Sequence, residues 1–202
     1  MKEVVADTTL NSTREIEQWQ AFKAGDMNSF SRLLDLYYPL LLRYGYKLYP
    51  DKEFVKDCVH DLFVGLWNSR GRLADVCSVK AYLFASLRKN IIREKSRSKW
   101  LTAVETMDDN VHAENGFHIE AMMIAQEHEQ HNVKKLQFHL NQLTNRQREA
   151  LYLKYTHELS YEQLAATMGI NYRSAVNLVH EAVKSLRKSW SMAIIWAISI
   201  FA

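Results

Sequence analysis

Apolar residues along this chain recur at three- and four-residue steps, the mark of helices that bury one face. Phe30, Leu33, Leu34, Tyr37, Tyr38, Leu41 and Leu42 make one stripe. Val55, Cys58, Val59, Leu62, Phe63, Leu66 and Trp67 make a second. Pro50-Asp51 separates them; Asp51 is placed to cap the second helix, and Asn68-Ser69-Arg70-Gly71 ends it. A third helix is predicted from about Ser78 to Lys99, with Tyr82, Leu83, Leu87 and Ile91 inward. No stripe is sustained from about Trp100 to Gln130, apart from a short helix start at Met122 to Ala125. Val133, Leu136, Leu140 and Leu143 resume the pattern. Thr144 with Gln147, and Ser160 with Gln163, are spaced as capping boxes. Leu164, Ala165 and Met168 then share a face, Gly169 stands where a tight turn needs positive φ, and Ile170 can plug the corner. Asn171 can cap a last helix whose inner stripe is Ala175, Leu178, Val179, Ala182, Val183 and Leu186. The pattern predicts an all-α chain: an N-terminal helical bundle and a C-terminal helix-turn-helix domain joined by an acidic linker.

The outer face of that last helix carries Tyr172, Arg173, Asn177 and His180. Two short helices joined by a glycine turn, the second polar outside, can lay a helix in the DNA major groove. The competing reading is a helical hairpin that only packs. Charge distribution favours nucleic acid more than net charge does, since the 202 residues carry only +3 and the pI is near 8.8. Lys80, Arg88, Lys89, Arg93, Lys95, Arg97 and Lys99 stand against the single acid Glu94. Residues 103–132 then hold seven acids and no Lys or Arg, and from Lys134 the chain is basic again. Cations at 80–99 near Tyr82, Phe84 and Trp100 suit phosphates and stackable bases; a merely solvated charged face is the alternative.

Other chemistry is thin. The order of residues makes no Ser/His/Asp triad, phosphate-cradling glycine loop or zinc-spaced cysteine set. Cys58 and Cys77 form no CxxC, and Cys58 on an apolar stripe reads as a reduced core thiol. Glu127-His128-Glu129-Gln130-His131, with His112 and His118 upstream, could place two histidines on one helical face for a metal; a hydrophilic linker is the preferred reading, and no cofactor or metal is expected. The N-terminus lacks a signal-peptide core, so a cytoplasmic protein is expected. The apolar tail from Ser191 to Ala202, taken with Trp190, would make a helix of about 20 Å, too short for a bilayer core of about 30 Å. No membrane span is expected. Of three uses, packing on the protein's own domains, docking a regulator or lying on a membrane surface, the tail is read as packing that holds the free protein compact and DNA-incompetent.

The order of these parts resembles a group 4 (extracytoplasmic function) sigma factor of bacterial RNA polymerase, over about residues 15–188. Gly25-Asp26 followed by Phe30 is similar to the family's opening. Asp57-Cys58-Val59-His60-Asp61-Leu62-Phe63, ending at Leu66-Trp67, resembles its polymerase-binding helix. Tyr82-Leu83, Arg88-Lys89-Asn90, Arg93 and Arg97 resemble the helix that meets the promoter −10 element. Leu143, Arg146 to Glu149, Ser160 to Ala165, Gly169-Ile170 and Leu186-Arg187 resemble the domain that reads the −35 element.

The resemblance implies residues 1–99 as region 2, 100–131 as linker, 132–190 as region 4 and 191–202 as tail. It implies binding of core polymerase, at the β′ clamp coiled coil, through Asp57, His60 and Asp61. It implies −10 contacts from Lys80, Tyr82, Arg88, Asn90, Arg93 and Arg97, with the loop from Arg70 to Cys77 holding a flipped base. For the −35 element it implies base reading by Arg173, Ser174 and Asn177, flanked by Tyr172 and His180, and phosphate contacts from Arg146, Arg148, Arg187 and Lys188. Promoter DNA and an anti-sigma factor are the other expected partners. The chain departs from the family pattern at His60, where Gln is usual, and at Glu158, where Gly is common. It departs again at Val176 and Glu181, where basic residues are common. Two other classes compete: a helix-turn-helix regulator with a sensing or dimerising N-terminal domain, and a metal-dependent enzyme resting on the histidine cluster.

Overall fold

A computed structural model describes the backbone of residues 14–102 and 140–201, and the side chains of 14–97 and 140–187. The chain divides into two compact units. In the first, residues 14–23 form α1, followed by α2 (Met27–Leu48), α3 (Lys52–Ser69), a 3₁₀ turn (Arg70–Arg72) and α4 (Val79–Thr102). Side chains close the helix ends. Gly25 adopts φ 99° between α1 and α2, a conformation that costs glycine little. Asp26 then caps α2, accepting from the Ser29 amide at 2.9 Å and the Ser29 hydroxyl at 2.5 Å. Those donors hold its carboxyl below the usual range. The expected Asp51 cap forms, accepting from Phe54 N at 3.1 Å. Ser78 Oγ accepts from Ala81 N at 3.2 Å at the start of α4. Caps of this kind contribute about 1 kcal/mol each. α4 runs to Thr102, past the end expected near Lys99, because no glycine or proline interrupts it.

The apolar stripes pack as their spacing requires. Leu33, Tyr37, Leu41 and Tyr44 of α2 are buried, with Val55, Cys58, Val59, Leu62, Phe63 and Leu66 of α3 and Leu83, Leu87 and Ile91 of α4. α1 closes the bundle with two buried rings: Trp19 meets Tyr82 of α4, and Phe22 meets Phe30 of α2 and Trp67 of α3. Gly45 sits where α2 meets α3; a Cβ there would lie 2.5 Å from Val55 Cγ1, so the crossing has no room for a side chain. Cys58 is a buried free thiol, as expected, and burial pushes its pKa up to about 11. It therefore stays protonated and behaves as core. Burying these large side chains at about 1.5–3 kcal/mol each outweighs any surface ion pair in this unit.

In the second unit, α5 (Asn145–Leu151) passes through a π-helical turn (Tyr152–Thr156) before α6 (Tyr161–Met168) and α7 (Tyr172–Phe201). Both expected capping boxes form, at Thr144/Gln147 and Ser160/Gln163. Gly169 has φ 64°, and the Ile170 and Gly169 amides donate to Ala165 O and Ala166 O at 3.0 and 3.4 Å. That pair of bonds is a Schellman ending, which turns the chain sharply from α6 into α7. The turn before α6 has no glycine: Glu158 takes φ 55°, alone among the described non-glycine residues. The core is Leu143, Ala150, Leu153, Leu159, Leu164, Met168, Ala175, Val179 and Ala182. The backbone of α7 continues through the tail to Phe201, while the tail's side chains, most of the expected linker and the histidine cluster lie outside the described residues. No described helix is long and apolar enough to cross a membrane, and no described residues cluster as metal ligands.

Candidate nucleic-acid interface

Three surfaces arise from these helices. On α3, burial of Val55, Cys58, Val59, Leu62 and Leu66 turns Asp57, His60 and Asp61 to solvent. Steps of three and four residues keep them on one face, and Val64, 44% exposed, extends it with an apolar position. A compact acidic patch with an apolar edge suits a basic protein partner better than DNA.

α4 carries the basic surface, but unevenly. The Arg93 and Arg97 side chains are 66% and 75% exposed. Both reach Glu94, at 3.1 and 3.8 Å. Lys80, Arg88 and Asn90 are half-buried, and Lys95 lies 5.4 Å over the Tyr49 ring. The aromatic part of the sequence expectation needs correction at Phe84. It is fully buried against Tyr44 (centroids 5.0 Å) and cannot stack on a base. Tyr82 is half-buried, edge-on to Trp19 at 5.3 Å, so only part of its ring faces outward. The side chain of Trp100 lies outside the described residues.

Between α3 and α4, residues 73–76 have no regular structure. Arg70 stacks 4.3 Å over Trp67 and donates to its carbonyl at 2.7 Å, which fixes the start of the loop. Asp75 accepts from Gln20 at 2.8 Å and from Lys23 at 2.6 Å, both on α1. These donors hold the Asp75 carboxyl below its usual range. Gln20, Lys23 and Asp75 carried no signal in the sequence, because the contact spans 52 positions or more.

The third surface is the start of α7. Asn171 caps it, accepting from Ser174 N at 2.8 Å. Arg173, Ser174, Asn177 and His180 are exposed, opposite the buried Ala175, Val179 and Ala182. Tyr172 is 52% exposed and packs edge-on to Tyr161, a residue without a mark in the sequence pattern. Arg146 and Arg187 are exposed, and the Lys188 side chain lies outside the described residues. Arg148 differs from them. It is half-buried and bonded to Asn145 and, at 3.5 Å, to Asn141, so its guanidinium is held by its own domain. Glu181 lies 3.6 Å from His180 and 3.8 Å from Lys184, and the Lys184 ammonium offsets its negative charge on this face.

The family profile for Sigma-70 region 2 matches residues 33–101, and that for Sigma-70 region 4 matches residues 134–186. Among curated proteins no sequence matches the chain. Solved structures share the fold. One is CnrH in complex with the cytosolic domain of CnrY, 15% identical over 88% of this chain and 97% of that one, with TM-score 0.57. Another is the sigma factor RpoE in complex with the anti-sigma factor NepR from Bartonella quintana. It is 21% identical over 82% of this chain and 98% of that one, with TM-score 0.55.

Proposed function

The chain belongs to the sigma-70 family, and from that premise we propose its membership of the extracytoplasmic-function group and how its residues divide the work. As an RNA polymerase sigma factor it binds core polymerase and directs promoter recognition and initiation, while polymerase supplies the chemistry. The single observation that carries this is the order of two matched regions, 2 then 4, on two helical units. Residues 1–99 engage polymerase and the −10 element, 100–131 link, 132–190 read the −35 element and 191–202 form an appended tail. The α3 face of Asp57, His60 and Asp61 meets the clamp coiled coil of β′. Arg93 and Arg97 meet −10 backbone, with Lys80, Tyr82, Arg88 and Asn90 beside them, and the loop 70–77 holds a flipped base. The linker raises the local concentration of the second domain once the first is bound. CnrH and RpoE were solved with partners, RpoE with an anti-sigma factor; this chain is held in the same way by an anti-sigma factor in the cytoplasm.

The test is reconstitution. Purified chain added to core polymerase should produce transcripts starting at a fixed distance from a shared pair of elements. Stable DNA binding without core binding or start-site selection would instead favour a helix-turn-helix regulator.

Within the −35 reader, base contacts specify and phosphate contacts position. Arg173, Ser174 and Asn177 stand at the end of α7 that meets base edges, flanked by Tyr172 and His180. Arg146, Arg148, Arg187 and Lys188 serve the backbone. Arg173→Ala should cost about 1–3 kcal/mol at particular positions and relax preference there. Arg146→Ala should weaken all sites alike and lower the salt slope by about 1. Arg148→Ala should also lower the domain's melting temperature, since its guanidinium bonds Asn141 and Asn145. A promoter-library selection in which Arg146→Ala changed preference and Arg173→Ala did not would overturn these roles.

A further inference from the structure

The loop from Leu73 to Ser78 lacks regular structure, so its conformation must come from contacts elsewhere. The Leu73 amide donates to Arg70 O at 3.3 Å at one end. In the middle, Asp75 Oδ1 receives two α1 donors, Gln20 Nε2 at 2.8 Å and Lys23 Nζ at 2.6 Å. The two ends of this ion pair are not alike. The Asp75 side chain is 78% exposed, whereas Lys23 is 18% exposed. Lys23 is therefore the sheltered end of the pair and Asp75 the exposed end. α1 is itself anchored in the core, because Trp19 and Phe22 on the same helix are each 1% exposed. Trp19 also carries the ring of Tyr82 edge-on. One helix thus touches both the loop and the aromatic residue on α4.

We infer that α1 is the positioning element of the −10 reader, with Asp75 tying the base-holding loop to Gln20 and Lys23 while Trp19 seats Tyr82. Asp75, Gln20 and Lys23 are positioning residues; none need touch a base. This rests on the reading of residues 70–77 as the loop that holds a flipped base. A loop anchored at its middle presents its flanking residues, Leu73, Ala74, Val76 and Cys77, in one arrangement. An unanchored loop samples several, and each dilutes discrimination between bases without weakening phosphate contacts. The anchor therefore acts on specificity rather than on affinity.

The test is the ratio of open-complex yields on promoters differing at one −10 base, measured with holoenzyme. Such a ratio cancels the sequence-independent phosphate contribution. Asp75→Ala and Lys23→Met should each reduce the ratio by about two- to fivefold, the range of an exposed ion pair. The double variant should lose little more than either single one, since both substitutions remove the same ion pair. Asp75→Asn, which keeps an oxygen for Gln20, should retain part of the ratio, and Lys23→Glu with Asp75→Lys should recover part of it. Core-polymerase affinity should stay unchanged, which separates loss of positioning from loss of fold. A fourth arm, alanine at Leu73, Val76 and Cys77 together, tests the underlying reading. If that loop variant discriminates like wild type, the loop does not read the base and the inference falls with it. If it loses discrimination while the Asp75 and Lys23 variants keep theirs, the loop reads the base but α1 does not position it.

Discussion

Asp61→Arg should weaken binding to core polymerase by about 30-fold or more, with the helical content of the first unit unchanged. The residue is exposed on α3 while its neighbours Leu62 and Phe63 are 6% and 4% exposed, so reversal adds no burial penalty to the fold. The expected partner surface is basic. Replacing an acid there removes an attraction and installs a repulsion, and like charges brought together across an interface cost several kcal/mol. At about 1.4 kcal/mol per tenfold, about 2 kcal/mol already gives that factor. Asp61→Ala should show a smaller loss, because it removes the attraction alone. Competition binding to core, paired with circular dichroism, reads both quantities. Unchanged core affinity at normal helicity would sink the assignment of this face.

Replacing Arg93 and Arg97 together by alanine should lower open-complex formation and reduce the salt slope of promoter binding by about 2, near 0.9 for each phosphate no longer neutralised. Glu94 shapes this result. Bonded to Arg93 at 3.1 Å and within 3.8 Å of Arg97, its carboxylate would compete with a phosphate for these guanidiniums. DNA must displace it, and at these exposures the exchange costs little, since such pairs contribute at most about 1 kcal/mol. The arginines are thus paired with Glu94 without being neutralised for good. Permanganate footprinting of the −10 strand reports the melting step separately from binding. Equal strand reactivity in wild type and double variant would show that α4 is not the melting element.

Much of this fold was legible in the sequence because the deciding interactions are local. The caps at Asp51, Thr144, Ser160 and Asn171 each join residues three apart, and the turn at Gly169 is a one-residue requirement. The stripes of α2 and α3 needed only helical periodicity. The sequence was less informative where register or distance decided. Phe84 follows Leu83 directly, and a stripe wide enough for both buries the ring that a narrower one would expose. Arg148 looked like its neighbour Arg146 until the bonds to Asn141 and Asn145 separated them. The tether of Asp75 to α1 joins residues that no pattern links. The proposed site residues come in good part from resemblance of motif order, since an exposed arginine on a helix carries no local mark of what it contacts.

The left-handed backbone at Glu158 also bears on how long the protein lasts. A non-glycine residue in that conformation costs about 1–2 kcal/mol, and that amount changes the folded-to-unfolded ratio of a domain by about 5- to 30-fold. Unfolded chains are what cellular proteases remove, so a difference of this size alters steady-state abundance several-fold. The number of polymerases a sigma factor redirects follows its abundance. Glu158→Gly is therefore expected to lengthen the protein's lifetime and raise the dose of the transcriptional response, which pulse-chase labelling would read, from a residue outside every surface assigned to DNA or polymerase.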